Sequence, residues 1–267
     1  VAECFGKRVL VLPYVMPGFV LAKQVHEAMK KTDLRKEGIE GIVLLKHGLF
    51  TFADDAKTSY EKHIELVTVA EEYLAKKAKA HAASAEPKID LLALAKLRRA
   101  VSLKRGFPQI ARVLNAPDQV TYATSLTDAG TRGPLTPDHS IRTKRIPAVI
   151  GEDLYAGVNA YADDYAAYFK RNAKDETMLD PAPRFALWKD HGIVCFGDTV
   201  KDVNIVADIA TATAKTVSLG EATGGWAPLS EQDIFAIEYW ELEQAKLKKG
   251  PARKVHQGKV ALVTGCA

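Results

Sequence analysis

Residues 44–55, LLKHGLFTFADD, return in altered form at 188–199 as WKDHGIVCFGDT. In each stretch an apolar run meets His-Gly and a second apolar run follows, with Phe five and Asp seven residues past the histidine. Two short apolar runs joined through a two-residue X-Gly loop, whose glycine tolerates positive φ, predict a β-hairpin. Acidic residues then open a long helical pattern. Asp54 and Asp55 precede one with Tyr60, Ile64, Val67 and Leu74 along one face, and Asp198 precedes another over 199–222.

The surroundings of the two hairpins repeat as well. KRVLVLPYV (7–15) is β-branched and apolar, a buried strand broken by Pro17-Gly18, and Leu21, Val25 and Met29 give FVLAKQVHEAMKK (19–31) helical spacing. KRIPAVIG (144–151) parallels LVLPYVMPG, with Pro13 matching Pro147, and a helix follows at 152–171. On this alignment Pro and His stand 34 residues apart in the first copy and 44 in the second. One order of elements met twice is a tandem duplication. It implies an α/β fold in two related lobes.

The expected division is a first lobe over 1–81, a linker and helix over 82–106, a second lobe over 107–250, and a tail over 251–267. AASAEP (82–87) has linker composition, and KIDLLALAKLRRAVSLKRG (88–106) is an amphipathic helix ending at Gly106. PLSEQDIFAIEYWELEQAKLKKG (228–250) reads as one helix, capped by Ser230 and Asp233, with Phe235, Tyr239 and Trp240 as a packing stripe.

Composition narrows the function. With 47% apolar and 26% charged residues, the chain is an ordinary globular protein. No apolar run is long enough to span a bilayer and no signal-peptide pattern opens the chain, so a cytoplasmic protein without a membrane partner is expected. Cys4, Cys195 and Cys266 lie far apart in no CxxC spacing, which fits a reducing compartment. The net charge of +4 is mild, and neither RTKR (142–145) nor the basic stretch 246–259, read as a linker, interleaves aromatics, which argues against a nucleic-acid partner.

Two groups of residues invite chemistry. TPDHSIRTKR (136–145) packs Asp138, His139, Arg142, Lys144 and Arg145 into eight residues, a charged loop or else a binder of phosphate or acid. Within it Arg142 and Lys144 are the anion contacts and His139 a candidate acid/base or ligand. The other group is the pair of turn histidines, His47 and His191. His26, His63 and His81 sit on helices among Lys and Glu and read as solvated.

The strand-HG-strand hairpin with its following helix resembles the class II aldolase/adducin family. VLPYVMPGF, LLKHGLFTF, GPLTPDHSIRTKRIP and GKVALVTG occur in the order seen in bacterial bifunctional rhamnulose-phosphate aldolase/alcohol dehydrogenases. The resemblance implies a three-layer α/β fold, a mixed and mostly antiparallel sheet covered by helices, and a Zn²⁺ held by three histidines, cleaving a ketose 1-phosphate such as rhamnulose 1-phosphate. It makes His47 the HG ligand, and places the family's H-x-H pair and acidic base before Val1. In the second copy the pair falls on LNAPDQV (114–120), where Leu114 and Ala116 replace both histidines. His191 is then a relic in a degenerate lobe.

By the same resemblance, GKVALVTGCA (258–267) is the first strand of a short-chain dehydrogenase, and Gly265 the first glycine of its NAD(P)-binding turn. The chain opens without Met and stops in that turn, the pattern of a fragment inactive by itself. Family sites at subunit interfaces imply a homo-oligomer. An adducin-like interaction module and a sugar-phosphate epimerase are the alternative functions.

Overall fold

Among the described residues the seven strands are short, three to six residues, and helices of up to 23 residues pack around them. The computed structural model describes residues 1–78, 87, 90–247 and 253–265. It divides into two compact units, Val1–Lys79 and Ala80–Ala267. The expected linker residues 82–86, together with His81 and Cys266, lie outside the described residues.

Unit one runs α1 (Ala2–Phe5), β1 (Val9–Leu12), α2 (Phe19–Lys31), β2 (Gly41–Leu44), β3 (Gly48–Thr51) and α3 (Ala56–Lys77). β1 pairs parallel with β2, and β2 antiparallel with β3. Asp55 caps α3 by accepting from the Thr58 N–H. The core is small: Leu12, Leu21, Ile42 and Leu44, with Val25 and Phe52 packed against them. No strand lies along the outer edge of β3 among the described residues, and Phe50 stands half exposed there.

Unit two runs α4 (Leu91–Arg105), β4 (Ile110–Leu114), α5 (Pro117–Ser125), α6 (Thr127–Gly130), α7 (Pro137–Thr143), β5 (Ala148–Ile150), α8 (Leu154–Asn172), β6 (Phe185–Trp188), β7 (Gly192–Gly197), α9 (Val200–Ala222), α10 (Glu231–Glu238) and α11 (Glu241–Leu247). The sheet order is β4-β7-β6-β5, parallel only between β5 and β6. Side chains of the central hairpin alternate between two cores. Phe185, Leu187, Ile193 and Cys195 face α5 and α9, while Ala186, Trp188, Val194 and Phe196 face α4, α8 and α10. This is the expected three-layer α/β arrangement, mixed and mostly antiparallel.

The duplication is visible in topology: β1-α2-β2-β3-α3 repeats as β5-α8-β6-β7-α9, with the same parallel and antiparallel pairings. The proline alignment needs correction. Leu12 pairs with Leu44 and Ile150 with Trp188, so Leu12 matches Ile150, and Pro147 falls opposite Val9 instead of Pro13. The second copy is therefore longer by six residues (150 to 188 against 12 to 44).

The hairpin loops also differ from expectation. Each has three residues, 45–47 and 189–191, closed by the histidine N–H donating to the carbonyl of Leu44 or Trp188. Positive φ falls on Lys46 (63°) and Asp190 (64°), and among the two glycines only on Gly192.

Four further readings change. TPDHSIRTKR is mainly helix α7 instead of a solvated loop: Pro137 stands in its first turn, and Ser140 and Thr143 are buried with their hydroxyls donating to the carbonyls of Pro137 and His139. The helix expected over 228–250 breaks at Tyr239-Trp240, because the Gln244 side-chain amide donates to the Glu238 carbonyl. Helix α4 packs Leu97, Ala100 and Val101 into the core of unit two, so it is more than a connection. The expected strand at 258–267 makes no pairing over its described residues, 258–265: a strand needs a neighbour's ladder, and Val260, Leu262 and Val263 stand exposed. Just before it, Gly258 lies against Pro108, and Arg253 covers the Phe107 ring and pairs with Asp198.

The two hairpin glycines should respond differently to substitution. A Cβ at Gly192 would lie 2.3 Å from the Leu114 carbonyl oxygen, where β4 crosses, and φ there is +107°. Around Gly48 nothing lies within 4 Å. Gly192→Ala should destabilise unit two by about 3 kcal/mol or more, and Gly48→Ala should stay within about 0.5 kcal/mol. Hydrogen exchange of the two hairpins, with tryptophan fluorescence as a monitor of unit two, measures both.

Candidate functional site

The two turn histidines occupy the same place in the same turn but have different surroundings. His47 is half-buried, its Nδ1 is shielded from water without a hydrogen-bond partner, and its ring lies 6.1 Å from that of Phe50. His191 is fully engaged in structure: its ring stacks on Trp188 at 3.8 Å, and its Nδ1 lies 2.8 Å from the Lys189 carbonyl oxygen. β4 brings Leu114 opposite Ile193, beside this turn, so the position next to His191 carries a leucine and no second imidazole.

Among the described residues no group of three or more His, Cys, Asp or Glu side chains could hold a metal ion. A zinc ion needs three or four such ligands. His47 offers one, so the described residues by themselves do not fit zinc. Gly265 has φ +71° with open space around it, as a glycine turn needs.

The charged stretch separates its members. Helix α7 holds His139 with Nδ1 buried and unpartnered, and burial lowers its pKa against the pull of Asp138. Arg142, half-buried on the same helix, does not line the cavity described below. Arg145 turns to Asp164 at 2.5 Å and lies over the Tyr168 ring. Of the five, Lys144 alone lines that cavity.

Lys144 ends α7 with φ 65° and ψ −179°, a backbone region almost confined to glycine. Its side chain is 3% exposed. Nζ lies 3.6 Å from Glu238 Oε1 and 3.9 Å from the centre of the Tyr165 ring, and makes no hydrogen bond. Glu238 instead accepts from the hydroxyls of Tyr165 at 2.8 Å and Tyr168 at 3.1 Å. Beside them Asp180 binds Arg184 at 2.7 Å and also pairs with Arg105, which reaches Asp198 at 3.2 Å. Of these, Lys144, Glu238, Asp180, Arg184 and Arg105 border a cavity of about 200 Å³.

Burial, with Arg184 adding to it, pushes Lys144 down to about 7, while Glu238 and Asp180 pull the other way. Against a burial that would raise it, Arg184 holds Asp180 well below the usual carboxylate range. Sequence reasoning found Lys144 but missed Glu238, Asp180, Arg184 and Arg105. One signal was present: Glu238 falls among Ile234, Phe235 and Ile237, a carboxylate within the apolar, buried end of the helix.

The lysine's displacement has a measurable sign. Its folded value near 7 lies below the ordinary value of about 10.4. Between the two, the unfolded chain binds more protons, so the stability of unit two should rise with pH. The contribution of this one group approaches about 1.4 kcal/mol per pH unit between pH 7 and 9. Lys144→Met should remove that slope, whatever its own repacking cost. Urea titrations across this range, for both proteins, give the comparison.

Known proteins can now be set beside this geometry. Residues 1–74 match the class II aldolase and adducin N-terminal domain, and residues 88–247 the second domain of class II aldolase. Over 99% of its length the chain is 27% identical to a Bacillus subtilis (strain 168) protein named as an uncharacterized oxidoreductase, YuxG, of which it covers 41%. It thus spans about two fifths of the length of that relative. A solved N-terminal class II aldolase domain of a conserved protein from Thermoplasma acidophilum is 49% identical over 27% of this chain and 31% of that one, with a TM-score of 0.23. Two family domains in tandem cover the two structural units, and the chain belongs to the class II aldolase family.

Proposed function

We propose that the chain is the aldolase part of a longer protein that cleaves a phosphorylated ketose and also carries an NAD(P)-dependent short-chain dehydrogenase. The observation that carries this is the joint match: two class II aldolase domains within a chain that aligns end to end with part of an oxidoreductase-named relative. Retro-aldol cleavage breaks the bond between the carbons α and β to a ketone, leaving a ketone fragment and an aldehyde. A dehydrogenase on the same polypeptide would act on such an aldehyde without its release into bulk solution.

In this reading rhamnulose 1-phosphate is the expected kind of substrate, and zinc and a homo-oligomer belong to the longer protein. His47 is the histidine contributed to its metal. His191 belongs to a lobe whose turn has been given over to packing, as its stacking on Trp188 supports. A second reading is an adducin-like interaction module, which would need no metal.

Three measurements separate these readings. The present chain, dialysed and analysed for metal, should retain no stoichiometric zinc. In the longer protein, His47→Ala should lower zinc content and ketose-phosphate cleavage by about 100-fold or more, because a site short of one ligand holds metal poorly. His191→Ala should leave both unchanged and cost only stability. Zinc lost from the His191 variant and kept in the His47 variant would reverse the assignment of the two lobes. A longer protein with neither zinc nor cleavage leaves the interaction module.

A further inference from the structure

We propose that Lys144 is a carbonyl-capturing amine: the cavity beside it admits a small aldehyde or ketone, with which its side-chain nitrogen forms a reversible Schiff base. This goes beyond the aldolase reading, from which it takes only the choice of carbonyl compound to test.

The geometry sets Lys144 apart from a lysine kept for stability. A buried ammonium is ordinarily held by hydrogen bonds, because unmet donors in a dry interior are costly. Nζ of Lys144 is buried, has three donors and uses none of them in a hydrogen bond. Its carboxylate neighbour stands 3.6 Å away with both oxygens already bonded to tyrosine hydroxyls. The other side of the amine is the face of Tyr165. The backbone is held in a glycine-like conformation to put the side chain there. Strain of this kind needs surroundings that over-determine it, and it gathers at working sites.

The cavity, bordered by Ser140, Ile141, Lys144, Leu179 and Glu238, has a volume of about 200 Å³, room for a carbonyl compound of a few carbons. Desolvation beside Arg184 leaves much of the amine neutral near pH 7, the form that attacks a carbonyl.

The groups present suffice for the chemistry. Glu238 takes one proton from the ammonium, and the freed lone pair adds to the carbonyl carbon as its π pair moves to oxygen. A proton passes from nitrogen to that oxygen, giving a neutral carbinolamine. Glu238 then returns its proton to the hydroxyl, which leaves as water, and the nitrogen lone pair closes the C=N bond. The net change is ammonium plus carbonyl to iminium plus water, with Glu238 regenerated.

The test uses the chain as it is, without metal. Glycolaldehyde or dihydroxyacetone is added at pH 7 with cyanoborohydride, which reduces an iminium to a stable amine, and peptide mass mapping locates the adducts. An ordinary lysine is neutral only about once in 2,500 at this pH. Lys144 should therefore carry at least about ten-fold more adduct than the average of the other lysines. Glu238→Gln, which keeps the cavity's shape, should slow labelling at Lys144 and leave the other lysines unchanged. Lys144→Arg, which keeps the charge and a folded unit by tryptophan fluorescence, should abolish the selective adduct.

Labelling spread over exposed lysines with Lys144 unmodified would overturn the proposal. So would labelling of Lys144 only in urea, the mark of a sealed structural residue. Neither result bears on ketose-phosphate cleavage by the longer protein, which is assayed separately.

Discussion

Unit two depends on a single constraint, the burial of the β6–β7 hairpin on both of its faces. Every residue of the two strands is buried, and their alternation feeds two separate cores. Helices must therefore cover both sides, and the hairpin must close tightly enough for β4 to run along its outer edge. Gly192 meets that requirement by having no side chain where the Leu114 carbonyl passes. Unit one uses the same hairpin under a looser constraint. β3 alternates half-buried and exposed residues, and Gly48 has free space around it. The two copies share a turn, but only one of them is bound by its neighbours.

That difference bears on function. A histidine at a tightly packed turn is used for packing, and His191 has its ring on Trp188 and its Nδ1 at a carbonyl oxygen. His47, in the looser copy, keeps a nitrogen without a partner. Polar investment in unit two has moved to the end of α7, where Lys144, Glu238, Asp180 and two arginines share one interior region. Replacing such a group by apolar residues is often neutral or stabilising for a protein, so its presence calls for a reason other than stability.

Much of the fold was legible in the sequence because it rests on local signals. The HG turns, the apolar runs beside them, the Asp55 cap and Gly106 in its left-handed cap conformation each act within a few residues. What was missed depends on partners far along the chain. Strand β4 shows itself only through its pairing with β7, some eighty residues later. The break after Glu238 depends on a side chain six residues on, from Gln244. The surroundings of Lys144 come from α4, α7, α8, α10 and the segment before β6, so no local pattern gathers them. Proline matching misaligned the copies because two prolines at strand ends carry no register, whereas a ladder of paired residues does.

The bare flank of β3 has a consequence for handling the protein. An unpaired antiparallel strand presents alternating N–H and C=O groups to any extended segment that meets it, and nature usually guards such flanks with lysine, proline or a bulge. Gly48, Leu49, Phe50 and Thr51 provide no such guard, and Phe50 adds an apolar handhold. The sister hairpin escapes this exposure because β4 occupies its flank. Among the described residues of unit one, this flank is therefore a ready template for an extended segment of another chain.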